Sequence, residues 1–185
     1  MTRPLAVAAL LTLVLAVAGC RATEPAPTPG ADAPEVSLED LPSLRLERRF
    51  AVAPETVFDT LTVPELMVVW WGPGVTFDMD VREGGRWTIV REAGGREYLA
   101  TGEYLEVQRP NRLRYTYSMP QFSPNSDTIT VDIRADGDGS VLVFEHAGVD
   151  IASELSELAP GLISQSEMGW EMGFDLMEAA WGGEG

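Results

Sequence analysis

From residue 75 to residue 147 the chain is a series of short stretches in which apolar and polar residues alternate, each ended by turn residues. After about residue 162 the spacing switches once, to that of a single helix. Alternation places every second side chain on one face of a strand, whereas recurrence at three and four residues makes a helical stripe. A chain patterned this way builds a sheet first and lays a helix on it last. Val75, Phe77, Met79 and Val81 alternate with Thr76, Asp78 and Asp80, and Gly84-Gly85 turns the chain into Trp87 to Arg91. Gly94-Gly95 makes the next reversal, into a longer strand from Tyr98 to Val107. Pro110-Asn111 precedes Leu113, Tyr115, Tyr117 and Met119; Ile129, Val131 and Ile133 form another strand, and Asp136-Gly137-Asp138-Gly139 joins it to Val141 to Ala147. With LRLERRFAV at 44–52, the pattern predicts about seven antiparallel strands in sequential order.

Two short helices are expected after the first strand. Pro54 and Pro64 each stand at a first helical position, with Val57, Phe58 and Leu61 on one face of the first helix and Leu66, Val69 and Trp70 on the second. Gly72-Pro73 stops the second. In the final segment, 162–181, Trp170, Phe174, Met177 and Trp181 form the stripe, Met168, Met172 and Leu176 widen it, and Ser164 with Glu167 makes a capping box. Such a face must be buried. The expected fold is α+β, a curved antiparallel sheet packed on the long C-terminal helix in a domain spanning 43–182, with 183–185 as a tail.

Charge and residue usage narrow the chemistry. The net charge is -16 and all 13 basic residues are Arg. Without Lys there is no P-loop lysine, no Schiff base and no Lys general base. The single His146 excludes multi-His metal sites, and the acidity excludes nucleic acid, whose phosphates need clustered cations. No metal and no cofactor is expected.

The amino terminus reads as an address. Residues 5 to 18, LAVAALLTLVLAVA, follow Arg3 in the layout of a secretory signal, and at ~1.5 Å per residue the run covers only ~21 Å of a ~30 Å hydrocarbon core. Val17-Ala18-Gly19-Cys20 then resembles the lipobox of bacterial lipoproteins, which implies a signal peptide over 1–19 and lipidation of Cys20, the only cysteine. Arg21, rather than Asp, follows that cysteine, and the resemblance to enterobacterial lipoprotein sorting implies the outer membrane, facing the periplasm. Residues 20–42 carry Pro25, Pro27, Pro29, Pro34 and Pro42 and read as an extended tether.

Several ordered motifs carry a second resemblance. Trp70-Trp71-Gly72-Pro73, Asp80-Val81-Arg82 with Gly84-Gly85, Gly102-Glu103-Tyr104 running to Pro110 and Arg112-Leu113, Glu145-His146-Ala147-Gly148, and Gly169-Trp170 resemble the bacterial homologues of the activator of heat-shock protein 90 ATPase, in the START-like (SRPBCC, helix-grip) superfamily. The resemblance covers 43–182 and implies a sheet that grips the last helix around a cavity, open toward the two short helices. It implies no single activity, because the superfamily holds lipid carriers, hormone receptors and cyclases alike.

The residues point to the same cavity. Phe77 with Met79, Trp87 with Ile89, Tyr115 with Tyr117, and Leu142 with Phe144 and His146 share strand faces and oppose Trp170, Phe174 and Met177; Trp71 is a further candidate for the pocket. An apolar, aromatic lining with a few polar tips suits a small-molecule pocket, and the same residues suit a filled core. His146 serves either a ligand, as donor and acceptor, or a structural hydrogen bond. Glu145 projects from the opposite side of its strand. Asp80 and Arg82 share a face and can pair. Asp136 to Gly139 lacks calcium-loop spacing and is a hairpin turn; no Gly-x-Ser-x-Gly elbow occurs. Gly169 and Gly173 suggest close approach of helix to sheet, since Glu167, Glu171, Asp175 and Glu178 exclude a lipid-facing span. The sequence therefore predicts a membrane-tethered extracytoplasmic domain that binds a small hydrophobic or aromatic ligand without turning it over. The alternatives are an enzyme of the cyclase or hydrolase type using His146 or a pocket carboxylate, and a protein-binding, co-chaperone-like module whose partner the sequence does not name.

Overall fold

The computed structural model describes residue 37 and residues 40–182. The apolar run, the lipobox with Cys20, most of the tether and the tail at 183–185 lie outside the described residues. Strand β1 (Leu44–Phe50) buries Leu44, Leu46 and Phe50. Arg48 shares their parity and reaches the last helix instead. Helices α1 (Pro54–Thr62) and α2 (Pro64–Trp71) each begin with Pro, whose missing N–H costs nothing in a first turn. Val57, Phe58 and Leu61 of α1 are buried as their spacing predicts; of the residues expected on the inner side of α2, Leu66 and Val69 are exposed, and Met67 is buried instead.

Six strands follow in meander: β2 (Val75–Met79), β3 (Arg86–Ala93), β4 (Arg96–Gln108), β5 (Arg112–Tyr117), β6 (Asp127–Asp136) and β7 (Gly139–Ala147). The sheet order is β1-β7-β6-β5-β4-β3-β2, and every pair is antiparallel. Sequential order therefore holds from β2 to β7 but not for β1, which pairs with β7 at the far edge. The physical reason is the connection: two helices carry the chain from one edge of the sheet to the other, where a tight hairpin would have kept neighbours adjacent.

Helix α4 (Gln165–Gly182) lies against the curved sheet. Phe174 and Met177 are buried against it, Phe144 approaches Trp170 at 4.5 Å and Phe174 at 5.6 Å between ring centroids, and Phe50 meets Trp181 edge-on at 5.0 Å. The buried stripe is narrower than the sequence suggested, because Met168, Met172 and Leu176 stay exposed. Arg48 binds Glu171 and Asp175 and lies 3.6 Å from Glu178, so the acidic side of α4 is fastened to β1.

A short helix that the sequence reading lacks, α3 (Val149–Ser156), follows β7. It has no cap of its own. Asp127, at the start of β6, accepts N–H bonds from Asp150 (3.1 Å) and Ile151 (2.8 Å), closing the helix end from a distant point in the chain. Gly148 permits this, for its φ is +150° and a Cβ there would lie 2.1 Å from the Asp127 carboxylate. All of these elements belong to one compact unit, Val36–Gly185. Among the described residues no helix is long and apolar enough to cross a membrane, and no cluster suits a metal ion.

Candidate functional site

Register decides which side chains meet. In β5, β6 and β7, Tyr115 stands opposite Ile129 and Ile129 opposite His146, while Tyr117 stands opposite Asp127 one step along the same face. Tyr115, Tyr117, Asp127, Ile129 and His146 thus form one surface beneath α4.

The middle of the gripped space is nearly full. Trp87 meets Tyr115 edge-on at 5.6 Å and lies over Tyr117 at 6.0 Å, and Tyr104 meets Tyr115 at 6.0 Å. Only about 20 Å³ remains among Met79, Trp87, Ile89, Tyr104, Leu113 and Tyr115, room for roughly a single water. Phe144, Phe174 and Met177 are buried core residues that line neither this space nor the cleft described next, and Phe77 is a half-buried strand residue that packs on the core. Large rings on neighbouring strands fill this part of the space between sheet and helix.

The space lies instead at one end. A cleft of about 550 Å³ opens between the C-terminal end of α2, the segment after β5, the start of α3 and the first turns of α4. Of the residues that the sequence singled out, Trp71, Tyr117, His146 and Trp170 line it; Trp70, Arg91, Met119, Phe122, Asp127, Asp150 and Glu154 join them. A second hollow of about 320 Å³ adjoins it and shares Trp71, Arg91 and Met119. The aromatic wall is continuous: Trp70 to Trp71 is 5.3 Å, Trp70 to Trp170 6.4 Å and Tyr117 to Trp170 5.8 Å. Trp70 is fixed by its indole N–H, which donates to the Thr60 carbonyl at 3.0 Å.

Two glycines of α4 shape this wall differently. A Cβ on Gly173 would come within 3.2 Å of the Trp70 ring, so the close approach there is to α2 rather than to the sheet. Gly169 has open space in place of a side chain and borders the cleft. The N-terminus of α4 is capped from two directions. Ser164 Oγ accepts the N–H of Glu167 (2.9 Å), as the capping box predicts, and Glu154 of α3 accepts the N–H of Ser166 at 3.0 Å as well as its hydroxyl.

His146 is 5% exposed, between Tyr117 (5.7 Å) and Trp170 (6.2 Å). Its Nε2 lies 3.2 Å from Asp127 Oδ2, an oblique contact without good hydrogen-bond geometry, and both ring nitrogens are covered by protein. Burial alone would raise the Asp127 pKa, but contact with His146 and the N–H bonds from Ile151 and Asp150 hold it below the usual carboxylate range. Glu154 is likewise held low, its burial outweighed by the Ser166 bonds. The Tyr117 phenol is pushed up to about 12 by burial and stays neutral. The Trp71 indole N–H is covered and has no hydrogen-bond partner among the described residues.

Sequence reasoning missed Asp127, Asp150, Glu154 and the cleft role of Gly169. One signal was present: Asp127 continues the inward alternation of Ile129, Val131 and Ile133 backwards by two residues, and an acid at an inward position needs a buried partner.

Solved structures share this architecture. A protein from Rhodobacter sphaeroides aligns with a TM-score of 0.63 at 19% identity over 76% of this chain and 91% of that one. A Mesorhizobium loti protein gives 0.61 at 22% identity over 78% and 99%, and an HSP90 activator from Plasmodium falciparum gives 0.58 at 19% over 76% and 96%. These likenesses support the fold. Among curated proteins none matches the chain in sequence. Residues 51–182 match the model of the family described as activator of Hsp90 ATPase homolog 1-like protein, and the chain belongs to that family.

Proposed function

We propose that this domain binds a small hydrophobic or aromatic molecule in the end cleft, without chemical turnover, while a lipid on Cys20 holds it to the outer membrane facing the periplasm. One observation carries the binding reading: the cleft of about 550 Å³ has the size of a small-molecule site and is walled by Trp70, Trp71, Tyr117 and Trp170. Such rings contribute large contact areas with little rotamer freedom to lose. The anchor rests on the lipobox alone, so Cys20→Ser is expected to release the protein from the membrane fraction. Native mass spectrometry of Val36–Gly185 is the direct test of binding. A copurified apolar mass supports the proposal; a protein that is empty and takes up no apolar compound contradicts it.

The acid–base enzyme has one feature in its favour, the His146 contact with Asp127. It weakens because neither imidazole nitrogen is open to the cleft. Turnover abolished by His146→Ala and bell-shaped in pH would restore it. The protein-binding reading rests on the family and on the likeness to an HSP90 activator; a stoichiometric partner recovered from the membrane would support it.

A further inference from the structure

We propose that the cleft selects organic cations, molecules that join an ammonium-like head to an apolar or aromatic body. This rests on the ligand-binding reading above and adds the sign of the ligand's charge.

Several arginines of the domain are engaged away from the cleft: Arg48 takes Glu171, Asp175 and Glu178, Arg82 takes Asp80, Arg109 takes Asp59, and Arg112 takes Glu106 and Asp132. The cleft holds three carboxylates, Asp127, Asp150 and Glu154, and among the described residues none has an arginine within 4.0 Å. Their partners are neutral donors. Asp127 accepts the N–H groups of Asp150 and Ile151, Asp150 accepts the Ser123 hydroxyl (2.9 Å) and the Asn125 amide (2.7 Å), and Glu154 accepts Ser166. Such bonds orient a carboxylate and favour its ionised form, yet leave its charge uncancelled. Arg91, the arginine that lines the cleft, is exposed on β3. His146 contacts Asp127, and its charge acts on Glu154 as well.

The aromatic wall points to the same ligand. The faces of Trp70, Trp71, Trp170 and Tyr117 carry negative quadrupole potential and attract a cation that sheds its water. An apolar body fits against the same rings. A carboxylate ligand would enter a site that already holds three negative groups, and the chain's net charge of -16 opposes its approach as well.

The test uses three compounds of nearly one shape: benzyltrimethylammonium, 2,2-dimethyl-3-phenylpropan-1-ol and 2,2-dimethyl-3-phenylpropanoate. Titration calorimetry on Val36–Gly185, the unit that contains the whole core, at fixed ionic strength is expected to rank them cation, alcohol, carboxylate. The cation should lead the alcohol by about tenfold or more. Asp150→Asn combined with Glu154→Gln, which keeps the shape of each side chain and removes its charge, should bring cation and alcohol close to parity. Gly169→Leu, which fills the cleft, should remove binding of both. Equal or weaker binding of the cation overturns the charge inference while the apolar site stands. A cation preference that survives the double substitution, or that persists in Gly169→Leu, overturns its assignment to these carboxylates and this cleft. Absence of binding by all three compounds overturns the ligand-binding reading too.

Discussion

The centre of the grip and its open end are built from the same residue types, yet one is full and the other empty. At the centre, Trp87, Tyr104 and Tyr115 come from neighbouring strands whose register stacks ring against ring, leaving about 20 Å³. At the end, the aromatics come from a helix pair and one strand, Gly169 presents no side chain, and α3 props the wall open, leaving about 550 Å³. Aromatic content therefore does not locate a pocket. What locates it is where large rings face small residues, and where polar groups in the wall are held by something other than a ligand.

Substitutions can break this contrast at either side, and the largest effect belongs to the filled centre. Phe144→Ala removes a ring packed on Trp170 and Phe174 and should cost about 3 to 5 kcal/mol in chemical denaturation. Loss of binding in that variant without loss of stability would contradict its assignment to the core.

Asp127→Ala comes next. It strips the caps from two N–H groups of α3 and should cost about 2 to 3 kcal/mol. Because the native Asp127 pKa lies below its unfolded value, its contribution is present above about pH 4 and is lost as the pH falls through the depressed pKa. The stability gap between the wild type and Asp127→Asn should narrow on acidification; a gap that widens would show that the ionised carboxylate is not the stabilising form.

Gly169→Leu probes the open end. It should abolish binding of the phenylpropanol while raising helix stability by up to about 1 kcal/mol, as replacement of a helical Gly does. A melt lowered by several degrees would mean that the space is not free. Asp80→Ala, which breaks an exposed pair with Arg82, sets the floor at ~0 to 1 kcal/mol by the same denaturation assay.

The sheet, the two proline-started helices and the terminal stripe were legible because each is written locally, in alternation, turn residues and helical spacing. The place of β1 was not, since pairing with β7 depends on a crossing of the sheet that no local pattern records. Helix α3 escaped for a related reason: its cap, Asp127, is supplied by β6 rather than by the helix itself. The site was half legible. Trp71, Tyr117, His146 and Trp170 were found because large inward residues announce themselves, whereas telling wall from filling required knowing which rings the register stacks together. Met79, Trp87, Ile89 and Tyr115 carry the same local signature and border only the residual central space or the smaller hollow beside the cleft.

The chain's five tryptophans report directly on where a ligand sits. In a proton–nitrogen correlation spectrum, each indole N–H gives its own signal, and 2,2-dimethyl-3-phenylpropan-1-ol should shift those of Trp70, Trp71 and Trp170 while leaving Trp87 and Trp181 in place. Movement of Trp87 with Trp70 and Trp170 silent would place the ligand inside the grip and contradict the account.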